Sequence, residues 1–155
     1  DGQHAPEDIP RLIAAFERHP DCIIIGARRS DRANTPRARY IANKIANFWI
    51  SWACGQPLVD SQSGFRLYPA ELIRVLAIRH GKKRGFVFES ELLIEAARRG
   101  YRSVAVGVPA VYHFAGRASH YRHIDTWYIT LMVAGKLLAR GLDPMGFYRA
   151  FIQRR

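Results

Sequence analysis

The 155-residue sequence predicts an α/β fold. Ile9, Leu12, Ile13 and Phe16 recur at helical spacing and lead into Cys22-Ile23-Ile24-Ile25-Gly26, a short apolar run between turn signals. Such a run suits a strand buried on both faces of a sheet, and a helix followed by such a strand points to α/β layering. Composition agrees: 48% hydrophobic and 24% charged residues place the chain among globular domains, and its length makes one domain at most.

Each element has a local reason. Pro6 suits a first helical turn, and Glu7 and Asp8 suit the positive end of the helix dipole. That helix is expected to reach Arg18, where Pro20 and Asp21 break it. Residues 30–36 are polar and loop-like. A second helix is expected over 37–53, with Ile41, Ile45, Phe48, Trp49 and Trp52 at helical spacing and Gly55, Gln56 and Pro57 as its stop. Residues 61–64 are turn-rich, and Phe65-Arg66-Leu67-Tyr68 alternates as a strand. Pro69 starts a helix expected to reach Ile78, and a basic loop follows over 80–85. Residues 89–99 form an amphipathic helix closed by Gly100. Strands are expected over 103–108 and 110–112, flanking Pro109, then a basic, aromatic loop over 113–122. Residues 125–140 are largely apolar but fall short of the ~20 a span needs, and Lys136 interrupts them. Packing on a core and lying in a membrane interface are both open for this segment. The tail from Met145 is aromatic and basic.

The two cysteines, Cys22 and Cys54, lie in apolar stretches and read as reduced packing residues, which suits a reducing compartment. The net charge of +11 invites an anionic partner: nucleic acid, nucleotide phosphates or an anionic membrane face. The charge alone allows a basic nucleic-acid-binding module, but no nucleic-acid motif is present, so nucleic acid is not expected as a partner.

Several clusters are candidates for chemistry. Asp1 and Gln3 put a carboxylate and an amide oxygen two residues apart, a pair that suits Mg²⁺ or Mn²⁺, although an Asp-Gly pair is also an ordinary turn. Arg28 follows the buried strand, at the carboxyl end where open α/β sheets collect ligands; a solvated loop arginine is the alternative. Arg39, Asn43 and Asn47 are spaced by four and share one helix face, which is either exposed or functional. Asp60-Ser61-Gln62-Ser63-Gly64-Phe65-Arg66 is the densest polar cluster. In it Gln62 and Ser63 can donate to phosphate or sugar hydroxyls, and Arg66 can neutralise charge or pair with a carboxylate. Glu89 and Glu91 open the amphipathic helix, a placement the helix dipole alone explains. Arg117 belongs to a basic loop that can clamp phosphate or face a membrane.

In order and spacing these pieces resemble the family 2 inverting glycosyltransferases of GT-A fold, in particular the dolichyl- and polyprenyl-phosphate mannosyltransferases. The residues that carry the resemblance are Asp-Gly-Gln-His-x-Pro-Glu-Asp-Ile-Pro at 1–10, Ile-Gly-Ala-Arg at 25–28, Asp-Ser-Gln-Ser-Gly-Phe-Arg-Leu-Tyr at 60–68 and Phe-Glu-Ser-Glu-Leu-Leu at 88–93. Arg-Arg-Gly-Tyr at 98–101, Val-Pro-Ala-Val-Tyr at 108–112 and Ser-His-Tyr-Arg at 119–122 continue it. The resemblance implies the C-terminal portion of a GT-A domain, a mixed sheet flanked by helices, over 1–122, with an amphipathic, membrane-associated helical tail over 123–155. Asp1 matches the second aspartate of the family's Asp-x-Asp motif and Gln3 its metal-contacting glutamine, and the nucleotide-binding units would precede the chain, so the chain alone is expected to be inactive. Arg28, Arg39, Asn43 and Arg117 fall at phosphate-binding positions, although relatives carry Ser at the position of Asn43 and a longer loop after that of Arg117. Many members carry a carboxylate base at the position of Gly64; the lipid-phosphate subset carries Gly, and a phosphate acceptor is already ionised and needs no base. Asp60 and Glu89 are the remaining carboxylates for a catalytic role. The implied reaction is transfer of a sugar from a nucleotide-diphosphate donor to a polyprenyl-phosphate acceptor at the cytoplasmic membrane face, with a saccharide hydroxyl as the alternative acceptor.

Overall fold

The computed structural model describes residues 4–28, 37–76, 85–109 and 123–153. A 3-10 turn at Pro6–Asp8 leads into α1 (Ile9–Arg18), then β1 (Cys22–Arg28), α2 (Arg37–Cys54), β2 (Arg66–Leu67), α3 (Ala70–Val75), α4 (Gly85–Arg98), β3 (Arg102–Val108), α5 (His123–Leu138) and α6 (Pro144–Phe151). The α/β layering expected from the first helix–strand pair is present as a small mixed sheet flanked by helices. The strand expected at 110–112, the loops at 30–36 and 113–122, and residues 80–84 of the basic loop expected over 80–85 lie outside the described residues; Gly85 opens α4, one turn before the expected start at Glu89.

The sheet order is β2-β1-β3. β1 runs parallel to β3, in register from Cys22 opposite Arg102 to Arg28 opposite Val108. It runs antiparallel to β2, with Ile24 opposite Leu67 and Ile25 opposite Arg66. The central place of β1 follows from its sequence, because alternate side chains point to opposite faces and both faces here are apolar. Ile24 joins Leu12, Ala15 and Val108 under α1. Ile23 and Ile25 join the larger core on the other face, with Ile50 of α2, Leu93 of α4 and Val133 of α5.

The helix ends follow local chemistry. The first helical pattern splits: Pro6 opens the 3-10 turn, and Pro10 stands in the first turn of α1. Gly100, at φ +86°, closes α4 as a left-handed cap. α3 stops at Val75, short of the expected Ile78, because Leu76 leaves helical geometry at ψ 88° and tucks into the core. Asp143 caps α6, its carboxylate accepting the Gly146 N–H at 2.8 Å.

α5 buries Ile129, Val133 and Leu137 in the same core as β1. Lys136, on the α4 side, pairs with Glu91 and Glu95. Burial by itself would raise the Glu95 carboxyl, but hydrogen bonds from Lys136 and Arg98 prevail and hold it below its ordinary value. No described helix is long and apolar enough to cross a membrane.

Both cysteines are free and partly buried rather than fully enclosed. Cys54 packs against the core, and burial pushes its thiol up to about 12. At pH 8 that leaves roughly one thiolate in ten thousand. Cys54 is therefore expected to resist iodoacetamide in the native protein and to react fully in guanidinium. Native labelling of Cys54 at the denatured rate would contradict this.

Candidate functional site

The site forms at the carboxyl end of β1, where the segment from Asp60 to Arg66 folds back against the strand. The Gly26 N–H donates to the Phe65 carbonyl at 2.8 Å, which extends the β1–β2 pairing. Phe65 lies so close that a Cβ at Gly26 would sit 2.7 Å from its ring and 3.1 Å from its carbonyl oxygen. The glycine is required here by approach, not by its dihedral angles. Gly26→Ala is expected to destabilise the fold by about 1–3 kcal/mol through overpacking. Thermal unfolding of that variant checks this, and an unchanged Tm would contradict it.

Arg28 ends β1 and meets Asp60 in a two-point ion pair. Its Nε donates to Asp60 Oδ2 at 2.8 Å and its Nη2 to Oδ1 at 3.0 Å. The Arg28 backbone N–H also donates to Oδ2 at 3.2 Å, and the Gln62 N–H to Oδ1 at 3.2 Å. Four donors thus converge on one carboxylate, an arrangement that fixes the guanidinium plane. The side chains are 11% and 9% exposed, so the pair works in a largely desolvated setting.

Three further anchors hold the segment. Asn47 Oδ1 accepts both the N–H and the hydroxyl of Ser61 at 2.7 Å, while its Nδ2 donates to the Val59 carbonyl at 2.8 Å. The buried Ser63 hydroxyl donates to the Gly26 carbonyl at 2.6 Å. Arg66 is 1% exposed and donates to the carbonyls of Ser61 at 2.8 Å and Glu89 at 3.2 Å, and to the Tyr68 hydroxyl at 3.0 Å. Its guanidinium also stands 3.7 Å from the Glu89 carboxylate. One arginine therefore ties the polar segment to the first turns of α4. The Glu89 carboxylate, 46% exposed, lies beside Gly64, at 3.5 Å from where a Cβ of residue 64 would stand.

His4 completes the site from the N-terminal side. Its ring stacks on Phe65 at 4.9 Å between centroids, and its Nδ1 is buried without a partner. Burial first, and then the Arg28 charge, hold the imidazole below its ordinary value against the opposing pull of Asp60 and Asp8. It is therefore neutral at pH 7.

The structure brings together Arg28, Asp60, Gln62, Ser63, Arg66 and Glu89 among the residues read from the sequence. Arg28 is the last residue of the strand rather than the first beyond it. Of the two roles open for Arg66, pairing with a carboxylate is the one seen. Asn43 is half-buried on α2, away from the exposed stripe of Ile41 and Ile45. Arg39 lies on α2, with its side chain outside the described residues, as are Asp1, Gln3 and Arg117. Asn47 carries more of the site than its sequence suggested; the spacing by four that groups it with Asn43 was the available signal. Nothing in the sequence marked His4 as a ring stacked on Phe65.

Comparison with known proteins gives a consistent set of relatives. The chain is 31% identical over 114 residues to an undecaprenyl-phosphate mannosyltransferase of Micrococcus luteus, a match covering 72% of this chain and 46% of that protein. It is 29% identical over 111 residues to a polyprenol monophosphomannose synthase of Mycolicibacterium smegmatis, covering 70% and 42%. It is 29% identical over 115 residues to a UDP-N-acetylglucosamine–dolichyl-phosphate N-acetylglucosaminyltransferase of Methanococcus voltae, covering 72% and 45%. The chain is a homologue of the family 2 glycosyltransferases. It spans somewhat under half the length of these glycosyltransferases. No family model and no solved structure matches it.

Proposed function

We propose that the protein carrying this chain transfers a sugar from a nucleotide-diphosphate donor to a polyprenyl-phosphate-type acceptor, with inversion. The observation that supports this reading most is the Arg28–Asp60 pair at the carboxyl end of β1. Asp60 engages Nε and Nη2 and so holds the guanidinium in one orientation, ready to meet phosphate oxygens. Arg39, Asn43, Gln62 and Arg117 are proposed to add contacts to phosphate. Ser63 and Arg66 shape the segment through backbone carbonyls. The three relatives described above are all named for polyprenyl, polyprenol or dolichyl acceptors. An ionised phosphate acceptor attacks without a base, in keeping with Gly64 at a position open to the site.

On this reading the sheet belongs to a GT-A fold, a proposal in keeping with an antiparallel β2 beside two parallel strands. Residues 1–122 are catalytic, and the helices of 123–155 pack on them and face the cytoplasmic side of the membrane. Among the described residues no group of three or more His, Cys, Asp or Glu is placed to hold a metal. Asp1 and Gln3 would hold Mg²⁺ or Mn²⁺. Their hard oxygens suit it, and His4, the residue after Gln3, stacks on Phe65 with its Nδ1 unpartnered, which supports this reading. The ion would stabilise charge on the departing diphosphate as a Lewis acid.

The test uses the protein that carries this chain, a nucleotide-sugar and polyprenyl phosphate. Arg28→Ala is expected to lower kcat/KM by about a hundredfold, the cost of one lost charge-stabilising donor. Asp1→Asn is expected to lose metal-dependent transfer. Normal metal-dependent transfer in both variants would refute the reading.

One observation favours a second reading. The half-exposed Glu89 carboxylate stands beside Gly64, where it could act as base toward a saccharide hydroxyl. Under that reading Glu89→Gln abolishes transfer; under the first it leaves most of the activity.

A further inference from the structure

Helix chemistry does not account for the place of Glu89. α4 begins at Gly85, so its first turn holds no acid, and Glu89 stands one turn beyond the reach of the helix dipole. Glu91, the next acid, turns the other way and pairs with Lys136 of α5 at 3.5 Å. Glu89 faces the polar segment instead. Both its oxygens lie beside Gly64, 3.5 and 3.6 Å from where a Cβ of that residue would stand. Gly64 is exposed and carries no side chain, so nothing of its own covers the carboxylate there.

Four charged side chains stand along this segment, and they differ in accessibility. Arg28 and Asp60 are 11% and 9% exposed and meet each other at two points. Arg66 is 1% exposed, whereas Glu89 is 46% exposed and only loosely held, 3.7 Å from the Arg66 guanidinium. The Ser63 hydroxyl nearby is buried and committed to the Gly26 carbonyl. A ligand group arriving over Gly64 therefore meets a carboxylate. A carboxylate accepts hydrogen bonds and donates none, so it suits a hydroxyl and repels a phosphate or a second carboxylate.

We propose that Glu89 sets the specificity for the donor sugar: its carboxylate accepts hydroxyls of the transferred sugar over Gly64 and turns away sugars that carry a carboxylate of their own. This rests on the proposed transfer from a nucleotide-sugar and deepens it, because it divides the site into a phosphate end at Arg28 and a hydroxyl end at Glu89. The donors taken are nucleotide-diphosphate hexoses, and those rejected are nucleotide-diphosphate hexuronates. Glu89 removes no proton in this role, which separates it from a base.

The test measures binding of UDP-glucose, UDP-glucuronate, GDP-mannose and GDP-mannuronate to the protein carrying this chain, by calorimetry with Mg²⁺ and without acceptor. Each pair shares its nucleotide and diphosphate, so the ratio of Kd values isolates the charge on the sugar. For the nucleotide that binds, the hexose is expected to bind about tenfold tighter than the hexuronate, the effect of two like charges close together at a partly exposed site. Glu89→Gln keeps the backbone carbonyl that accepts from Arg66 and is expected to bring the preference to within about threefold. The wild-type preference is also expected to shrink in salt on the order of 0.5 M, because screening weakens the charge repulsion. Equal binding of hexose and hexuronate by the wild type overturns the proposal. So does an undiminished preference in folded Glu89→Gln, and, should that variant not fold, a wild-type preference that salt leaves unchanged. Because no acceptor is present, failure of transfer to polyprenyl phosphate leaves this result standing, whereas a protein that binds none of the four donors refutes the transferase reading and this proposal together.

Discussion

Asp60→Asn is expected to destabilise the protein by about 3 kcal/mol, because it removes one partner of a largely buried ion pair and leaves the other charge in place. The amide keeps the shape of the carboxylate but answers only part of what four donors require: Arg28 Nε, Nη2 and N–H, and the Gln62 N–H. In a chain of 155 residues a loss of that size lowers Tm by roughly 10 °C. Asp60→Leu combined with Arg28→Met should be less damaging than Asp60→Asn alone, since no unpaired charge then remains. Thermal unfolding of the three proteins decides this. A double variant weaker than Asp60→Asn would mean that the pair contributes net stability and not only orientation.

Arg66→Lys is expected to cost about as much, on the order of 3 kcal/mol, although charge is kept. The guanidinium is 1% exposed and reaches Ser61, Tyr68 and Glu89 with its planar fork. An ammonium cannot reach these diverging acceptors at once, so the Ser61 and Glu89 carbonyls lose their donor. The segment from Asp60 to Gly64 should then loosen from α4. Hydrogen exchange would report it as lost protection at Ser61 and Ser63, with β3 unchanged. Wild-type protection in the Lys variant would contradict the assigned role. Should Arg66→Lys raise KM for acceptor without changing stability, Arg66 would be a substrate contact instead of an anchor.

How far the sequence led depended on whether a signal was local. The Ile23-Ile24-Ile25 run identified a strand covered on both faces, and β1 is the middle strand with one core on each side. The place of Arg28 at the carboxyl end of that strand was legible for the same reason. Gly100 announced the end of α4, and Pro69 the start of α3. By contrast, helical spacing reveals that two stripes exist on α2 but not which one faces inward. Burial usually turns the apolar stripe in; here Asn47 is spent on Ser61 and Val59, so Phe48 and Ile45 point out. The destination of Ser63 was equally hidden. Its hydroxyl suited phosphate as well as it suits the Gly26 carbonyl, and only the fold brings residues 26 and 63 together. The pairing of Arg66 with Glu89 needs the same long-range information.

The central claim is that the acceptor attacks as an ionised phosphate and draws on no protein base. The measurement that tests it most directly offers the protein carrying this chain a labelled nucleotide-sugar together with polyprenyl phosphate, the matching polyprenol and a saccharide. The account predicts label only in the polyprenyl-phosphate product, with the anomeric configuration inverted and with Glu89→Gln retaining most of the rate. Transfer to the polyprenol or the saccharide, abolished by Glu89→Gln, would contradict it.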